Sequence, residues 1–177
     1  MTDKDYFERH IPHRVNLLVT FRERYQPSPL RSGFDPERAR DLFRCSKDMA
    51  MLMVRFFLTE MGVRLPRKKL NSPDDVDAVV GWNSRFGIKQ LTVAEVKSEK
   101  RFSSIFEVLK AANRAVAHLE EADVDHPITT DSDLSLIFDA IDFTEEKIRE
   151  KIYHASVGFS FETVMALPDN DMKRREG

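Results

Sequence analysis

Apolar residues recur every three or four positions along most of the chain, which is the spacing of one face of an α-helix. Four long stretches with this spacing predict helices from about Pro12 to Tyr25, Asp35 to Met61, Phe102 to Ala122 and Asp131 to Gly158. No stretch sustains the strict alternation that makes a sheet, and no internal repeat is present. The pattern predicts an all-α helical bundle of four or five main helices with short accessory helices.

The second helix has the clearest ends. Asp35 is placed to cap its N-terminus, Pro36 suits the first helical position, and Gly62 follows the last apolar residue. Residues alternately three and four positions apart form a stripe that we expect to face the core: Leu42, Cys45, Met49, Leu52 and Phe56. Cys45 is the only cysteine, so an internal disulfide and a cysteine-rich zinc site are excluded, and its thiol is interpreted as core.

The stretch from Leu65 to Leu91 is the least regular. Ser72 is placed to cap a short helix that continues to Val80, and a loop from Gly81 to Gly87 carries Trp82 and Phe86. A small basic cluster precedes Ser72: Arg64, Arg67, Lys68 and Lys69. The two aromatics either pin the loop to the core, which we favour, or stack with nucleic-acid bases.

Two further features mark the remaining elements. Thr92 and Glu95 have the spacing of a capping box for another short helix. Residues 159–167, Phe-Ser-Phe-Glu-Thr-Val-Met-Ala-Leu, predict a final strap or short helix. We expect residues 1–168 to form one helical domain and residues 169–177 to be a charged, disordered tail.

The charge balance excludes some classes of function. The net charge is −2, from 28 basic and 30 acidic residues, so no global attraction to nucleic acid or an anionic membrane is expected. The longest apolar run, Met49 to Leu58, contains Arg55 and is shorter than the roughly 20 residues that span a bilayer. Residues 1–6 lack the pattern of a signal peptide. A cytoplasmic protein is therefore expected.

The candidate chemistry lies between Ala111 and Leu119. His118 follows Arg114 by four positions, so the two share one side of the predicted helix. That side lies away from the inner stripe, which contains Phe102, Ile105, Phe106, Leu109, Asn113 and Val116. Three alanines flank His118 there: Ala111, Ala115 and Ala122. Small residues in place of Lys and Glu indicate close approach of a second helix, from this chain or a symmetric partner.

These side chains fit acid–base chemistry on a phosphate. A histidine titrates near neutral pH and can exchange a proton with substrate, and an arginine can hold a phosphate. The alternative is structural: Asn113 and His118 satisfy the ends of neighbouring helices. An inward Asn113 needs hydrogen-bond partners in either case.

Residues 112–118, Ala-Asn-Arg-Ala-Val-Ala-His, resemble the conserved segment of HEPN-type helical proteins. Asn113, Arg114, Ala117 and His118 match it, and the layout of long helices is similar. One position departs. The family's arginine normally lies further ahead of the histidine, where this chain has Ala112. Either Arg114 replaces it from the next turn, or the ribonuclease chemistry is absent.

The resemblance implies a prokaryotic defence or toxin–antitoxin protein, and a metal-independent endoribonuclease if it is active. It assigns His118 as the general acid or base, Arg114 as the phosphate contact and Asn113 as the orienting group. The implied partners are an RNA substrate, a second copy of the chain in a homodimer and an antitoxin-like protein, with no membrane and no cofactor. The alternative is a non-catalytic helical module whose Ala-His face packs against a partner protein.

Two other groups of side chains carry weaker signals. His10 and His13 are three residues apart but lack the Glu-x-x-His pattern of bundle metal sites, and we expect no metal there. The last helix has an acidic side, which is interpreted as a solvated face or a surface for a basic partner: Asp139, Asp142, Glu145, Glu146 and Glu150.

Overall fold

A computed structural model describes residues 6–24, 36–66, 72–118 and 131–153. Its α-helices are α1 (Ile11–Arg24), α2 (Pro36–Met61), α3 (Asn83–Phe86), α4 (Val93–Lys97), α5 (Phe102–His118) and α6 (Asp131–Ile148). Two-residue strands β1 (Val63–Arg64) and β2 (Asp77–Ala78) pair antiparallel, with Val63 opposite Ala78. The all-α bundle is confirmed, and no described helix has the length and apolarity to cross a membrane.

Helix α2 is the centre of the bundle. It packs against α1, α5 and α6, while α6 also packs against α1 and α5. The side chains between the long helices are fully or almost fully buried, among them Ile11, Val15, Leu18, Val54, Phe57, Leu58, Ile105, Leu109, Ile137 and Ile141. Burying apolar side chains of this size contributes about 1.5–3 kcal/mol each, so this core is what holds α5 in place.

The prediction that the stripe from Leu42 to Phe56 is the inner face of α2 was wrong. Leu42 is 52% exposed, Met49 is 39% exposed, and Cys45 is also exposed. The buried face is turned away from it and contains Lys47, Ala50, Met51, Val54, Phe57, Leu58 and Met61. Residues 49–58 are apolar on nearly every side of the helix, so their spacing fits both faces. The charged Lys47 is nevertheless buried, and the neighbouring helices decide the orientation.

The predicted ends of α2 fit the structure where it is described. The helix begins at Pro36 and ends at Met61. Gly62 has a φ of 118°, which favours glycine, and its N–H bonds to the carbonyls of Leu58 and Thr59 at 3.1 Å. The Asp35 cap, the helix end at Ala122, the end near Gly158 and the tail at 169–177 lie outside the described residues.

The first and last long helices differ in detail from the prediction. Helix α1 follows a π-helical turn, Tyr6–His10, and starts at Ile11. Helix α6 ends at Ile148 and continues as a π-helical turn, Arg149–Tyr153, in which Ile152 is buried.

The segment after α2 contains the small sheet, which the sequence did not predict. Ser72 does cap a turn, but only the 3-10 turn Pro73–Asp75; β2 follows in place of the expected helix to Val80. Strands of two residues are too short to show the alternation that identifies a strand. The side-chain amide of Gln90 donates to the Val79 carbonyl at 2.5 Å and joins the loop to this sheet.

The loop of Trp82 is pinned to the core, the interpretation that the sequence favoured. Trp82 is buried, and its backbone N–H donates to the Glu60 carbonyl at 2.7 Å. Its ring lies 6.0–6.1 Å, centroid to centroid, from the rings of Tyr6, Phe7, Phe56 and Phe57. A buried indole in edge contacts of this kind is committed to packing, so Trp82 does not offer a face to nucleic-acid bases.

The predicted capping box is confirmed at α4. The N–H of Glu95 donates to the Thr92 hydroxyl at 3.1 Å, and the N–H of Thr92 donates to the Glu95 carboxylate at 2.7 Å. The second carboxylate oxygen of Glu95 accepts from the buried ammonium of Lys151 at 2.8 Å. One glutamate thus caps α4 and holds the turn that follows α6.

Candidate functional site

Asn113 ties α5 to the segment that follows β1. Its side chain is 2% exposed, and its amide nitrogen donates to the Leu65 carbonyl at 2.8 Å. Its amide oxygen is buried and accepts no hydrogen bond from the described residues. The inward position expected from the sequence is therefore observed, with one side-chain hydrogen bond to the described residues and the amide oxygen without a donor among them.

The first half of the HEPN-like segment belongs to the core. Ala112 is fully buried beside Asn113, and Ala111 is also buried. Ala111 was expected on the outer side of α5, next to another helix. It is already covered within one chain, so a second copy is not needed to explain that alanine.

The burial of Ala112 has a consequence for the missing motif arginine. Position 112 faces the packed interior, where a guanidinium would lose water without gaining a carboxylate. Arg114 is the only arginine of residues 112–118, and its side chain is half-buried rather than enclosed.

Arg114 differs from the arginines that brace the bundle. The guanidinium of Arg22 donates a hydrogen bond to the Asp142 carboxylate. It also forms an ion pair with Glu145 at 2.9 Å, although the geometry is not that of a hydrogen bond. Arg101 donates to Glu146 at 2.9 Å. In the parts of the chain that the structure describes, no carboxylate pairs with Arg114. Its guanidinium therefore has N–H donors that those residues leave unused.

His118 is the last described residue of α5, and the side chains of residues 115–118 lie outside the description. The helical backbone still fixes its direction from the axis. At about 100° per residue, His118 is rotated by about 40° from Arg114 and about 140° from Asn113. Positions 114 and 118 are therefore neighbours around the axis of α5, and position 113 lies elsewhere around it.

The acidic side of α6 meets basic residues of the same chain. Besides the partners of Arg22 and Arg101, Glu150 pairs with Lys147 at 2.6 Å and with Lys151 at 3.0 Å. The hydrogen bond from Arg101 holds the pKa of Glu146 below its usual range, and that from Lys147 does the same for Glu150. Asp142, Glu145 and Glu146 thus join α6 to other segments of the bundle, whereas Glu150 pairs with lysines of α6 and of the turn that continues it.

The other candidates do not assemble into a site. His10 and His13 are exposed, and no group of three or more potential metal ligands occurs in the described ranges. Arg64 is exposed, whereas Arg67, Lys68, Lys69 and His154 lie outside the described residues.

Arg14 is a charged group that the sequence did not single out. Its guanidinium carbon lies 4.7 Å from the centre of the Phe56 ring and 5.9 Å from that of Tyr6. One of its nitrogens is buried and has no hydrogen-bond acceptor among the described residues. Burial raises the pKa of Glu60, and the charge of Arg14 opposes that rise. The contacts attach α1 to α2 by cation–π attraction. An isolated arginine in an amphipathic helix gives no sequence signal for such a role.

Replacing Asn113 by alanine is expected to lower the free energy of unfolding by about 2 kcal/mol, because the buried Leu65 carbonyl loses its donor. Urea denaturation of Asn113→Ala measures this loss. Ser103→Ala is the control, since Ser103 is exposed on the same helix. Equal midpoints for the two variants would show that the Asn113 contact does not stabilise the fold.

The comparisons with known proteins give no family for this chain. No protein-family model, no curated protein and no solved structure matches it.

Proposed function

We propose that this chain is a HEPN-like helical protein of a prokaryotic defence or toxin–antitoxin type that cleaves RNA without a metal ion. His118 is the general acid or base and Arg114 the phosphate contact. Asn113 orients the site by holding the backbone of α5 in register through Leu65, since its own side chain points away from His118.

The observation that carries the proposal is the state of Arg114. It is half-buried, shares a helix side with His118 and has no carboxylate partner in the described ranges. An arginine whose donors are unused and partly shielded from water is suited to bind a phosphate in two-pronged geometry.

The chemistry follows from the two side chains. Neutral His118 takes the proton of a ribose 2′-hydroxyl, and the resulting oxygen attacks the adjacent phosphate. Negative charge accumulates on the phosphate oxygens, where Arg114 stabilises it. The bond to the 5′-oxygen of the next nucleotide then breaks, that oxygen takes up a proton, and a cyclic phosphate remains. The step needs no metal, because the guanidinium supplies the positive charge.

The test is cleavage of a single-stranded RNA in the presence of EDTA. His118→Ala is expected to lower the rate about 100-fold or more, as loss of a general acid–base group does. His13→Ala is the control, since His13 is an exposed histidine on another helix. Equal rates for wild type and His118→Ala, or no cleavage by the wild type, would exclude the catalytic assignment.

A second candidate is a non-catalytic module that packs a partner protein against the Ala-His side of α5. It is favoured by the burial of Ala112, because the position of the missing motif arginine is then committed to packing within the chain and not to phosphate binding. Under this proposal Ala115→Arg abolishes association with the partner or with a second copy, as measured by analytical ultracentrifugation. Neither the wild type nor Arg114→Ala cleaves RNA. RNA cleavage lost in Arg114→Ala would favour the enzyme.

A further inference from the structure

Lys110 lies one turn before Arg114 on the same side of α5. Positions 110, 114 and 118 follow at intervals of four residues, each rotated by about 40° around the axis from the one before. The side chain of Lys110 is 24% exposed, and its ammonium lies 3.4 Å from both carboxylate oxygens of Glu107. A long ion pair at the surface contributes little stability, so Glu107 leaves this ammonium able to bind another anion.

A second segment brings Arg64 to the flank of α5. Leu65, whose carbonyl accepts the amide of Asn113 at 2.8 Å, directly follows Arg64 at the end of β1. Leu65 is buried and Arg64 is exposed, because successive side chains of an extended chain point to opposite sides. Asn113 lies one turn after Lys110 and directly before Arg114. The backbone of Arg64 therefore lies beside the part of α5 that carries the other two cations.

We call these three residues the cationic face: Arg64, Lys110 and Arg114. No carboxylate forms an ion pair with Arg64 or Arg114 among the described residues. Asp77 lies opposite Arg64 in the sheet without such a pair, and Glu107 is the one carboxylate that contacts Lys110 within those ranges. The whole chain has a net charge of −2, but the cationic face is a local positive surface that can attract an anion.

The spacing of the cationic face fits a nucleic-acid backbone. Four residues of helix advance by about 6 Å, so two side chains one turn apart can reach successive phosphates of one strand. Lysine and arginine make such contacts without reading the bases. A strand carries one negative charge at every nucleotide, which a row of cations follows along its length. An acidic protein offers its carboxylates at irregular positions, so the row favours a strand.

We propose that Arg64 and Lys110 bind phosphates of an RNA strand next to the phosphate that Arg114 contacts. This rests on the proposed function and extends it, since it names the residues that hold the strand across position 118. Arg64 and Lys110 are positioning residues, which bind the substrate and take no part in proton transfer. Because the contacts are with the backbone, binding is expected to be independent of base sequence. The hydrogen bond from Asn113 to Leu65 joins the two segments that carry the face.

The salt dependence of RNA binding counts these contacts, because each phosphate that a cation neutralises releases counterions. The probe is a fluorescein-labelled 2′-O-methyl oligouridylate, which lacks the 2′-hydroxyl needed for cleavage. Its binding to the full-length protein is measured by fluorescence anisotropy in EDTA, between about 50 and 200 mM NaCl. Arg64→Ala and Lys110→Ala are each expected to reduce the slope of log Kd against log salt concentration by about 0.7. Lys110→Arg keeps the charge and is expected to keep the wild-type slope.

Arg44→Ala is the control, since it removes one exposed positive charge from another helix; unchanged circular dichroism verifies the fold of each variant. Equal slopes for the wild type, Arg64→Ala and Lys110→Ala would overturn the proposal, and so would an equal reduction in Arg44→Ala. A wild type that does not bind the probe at about 50 mM NaCl would also overturn it and would point to an acidic protein as the ligand. Cleavage of natural RNA is a separate measurement. The expected slopes without cleavage would exclude the catalytic assignment alone, whereas cleavage with unchanged slopes would exclude the roles of Arg64 and Lys110 alone.

Discussion

Gly81→Ala is expected to destabilise the protein by about 3 kcal/mol or more. A Cβ at this position would lie 2.0 Å from the Glu60 carbonyl oxygen and 2.8 Å from that of Thr59. Both are backbone atoms of α2, so no side-chain rotation relieves the clash. The loop cannot move away without cost, because the N–H of Trp82 bonds to the same Glu60 carbonyl and the indole is buried.

Thermal unfolding followed by calorimetry measures the effect, and a loss of this size lowers the melting temperature by about 10 °C in a chain of this length. Gly87→Ala is the matched control. Gly87 has a φ of 65°, but an added Cβ there meets no atom within 4 Å, so only the backbone cost of about 1 kcal/mol remains. Equal losses for the two variants would mean that the close approach of Gly81 to α2 is not what the loop requires.

Glu95→Ala is expected to cost about 3 kcal/mol, the second large effect on stability. The substitution removes the side-chain half of the capping box at Thr92. It also leaves the buried ammonium of Lys151 with Glu150, half exposed, as its one remaining carboxylate among the described residues. Breaking a buried ion pair by removing one partner is more damaging than replacing the buried charge with an apolar side chain.

The comparison with Lys151→Met separates these contributions. Methionine fills a similar volume without a charge, and Glu95 keeps its bonds to Thr92, so we expect a loss of about 1 kcal/mol. Urea denaturation of both variants gives the free energies of unfolding. If Lys151→Met lowers the free energy of unfolding as much as Glu95→Ala does, the loss comes mainly from the attraction between Glu95 and Lys151. It then does not come mainly from a buried Lys151 ammonium left without its partner.

The same glutamate makes stability depend on pH in the acid range. Hydrogen bonds from Lys151 and Thr92 lower the pKa of Glu95 from 4.5 to about 2. A carboxyl whose pKa is lower in the folded state stabilises the fold fully above its unfolded pKa. That contribution is lost as the pH falls from about 4.5 toward 2. Glu95→Gln is expected to flatten this part of the stability curve, as measured by urea titrations at several pH values; an unchanged slope would contradict it.

The ends of the helices could be predicted because they depend on nearby residues. Pro36, Gly62 and the Thr92–Glu95 pair act within one helical turn, so their chemistry is visible in the sequence. The orientation of α2 could not be predicted in this way. Its apolar residues fit two faces, and the deciding facts are the burial of Lys47 and the exposure of Leu42, which depend on helices distant in sequence.

In the candidate site, too, the features that depend on nearby residues could be predicted and those that depend on tertiary packing could not. The helix around Arg114 and the inward direction of Asn113 followed from apolar spacing alone. The acceptor of the Asn113 amide did not, because Leu65 is 48 residues away in the chain and no local pattern connects them. The burial of Ala111 depends likewise on tertiary packing. The assignment of Arg114 and His118 to RNA cleavage stays a prediction.

The burial of Trp82 also determines what spectroscopy can report about this protein. It is the only tryptophan of the chain, and it is enclosed by aromatic rings from the N-terminal turn and α2. Intrinsic tryptophan emission therefore monitors the attachment of the N-terminal turn. An emission change that precedes the loss of helical circular dichroism on heating would mean that this turn detaches while the bundle is still folded.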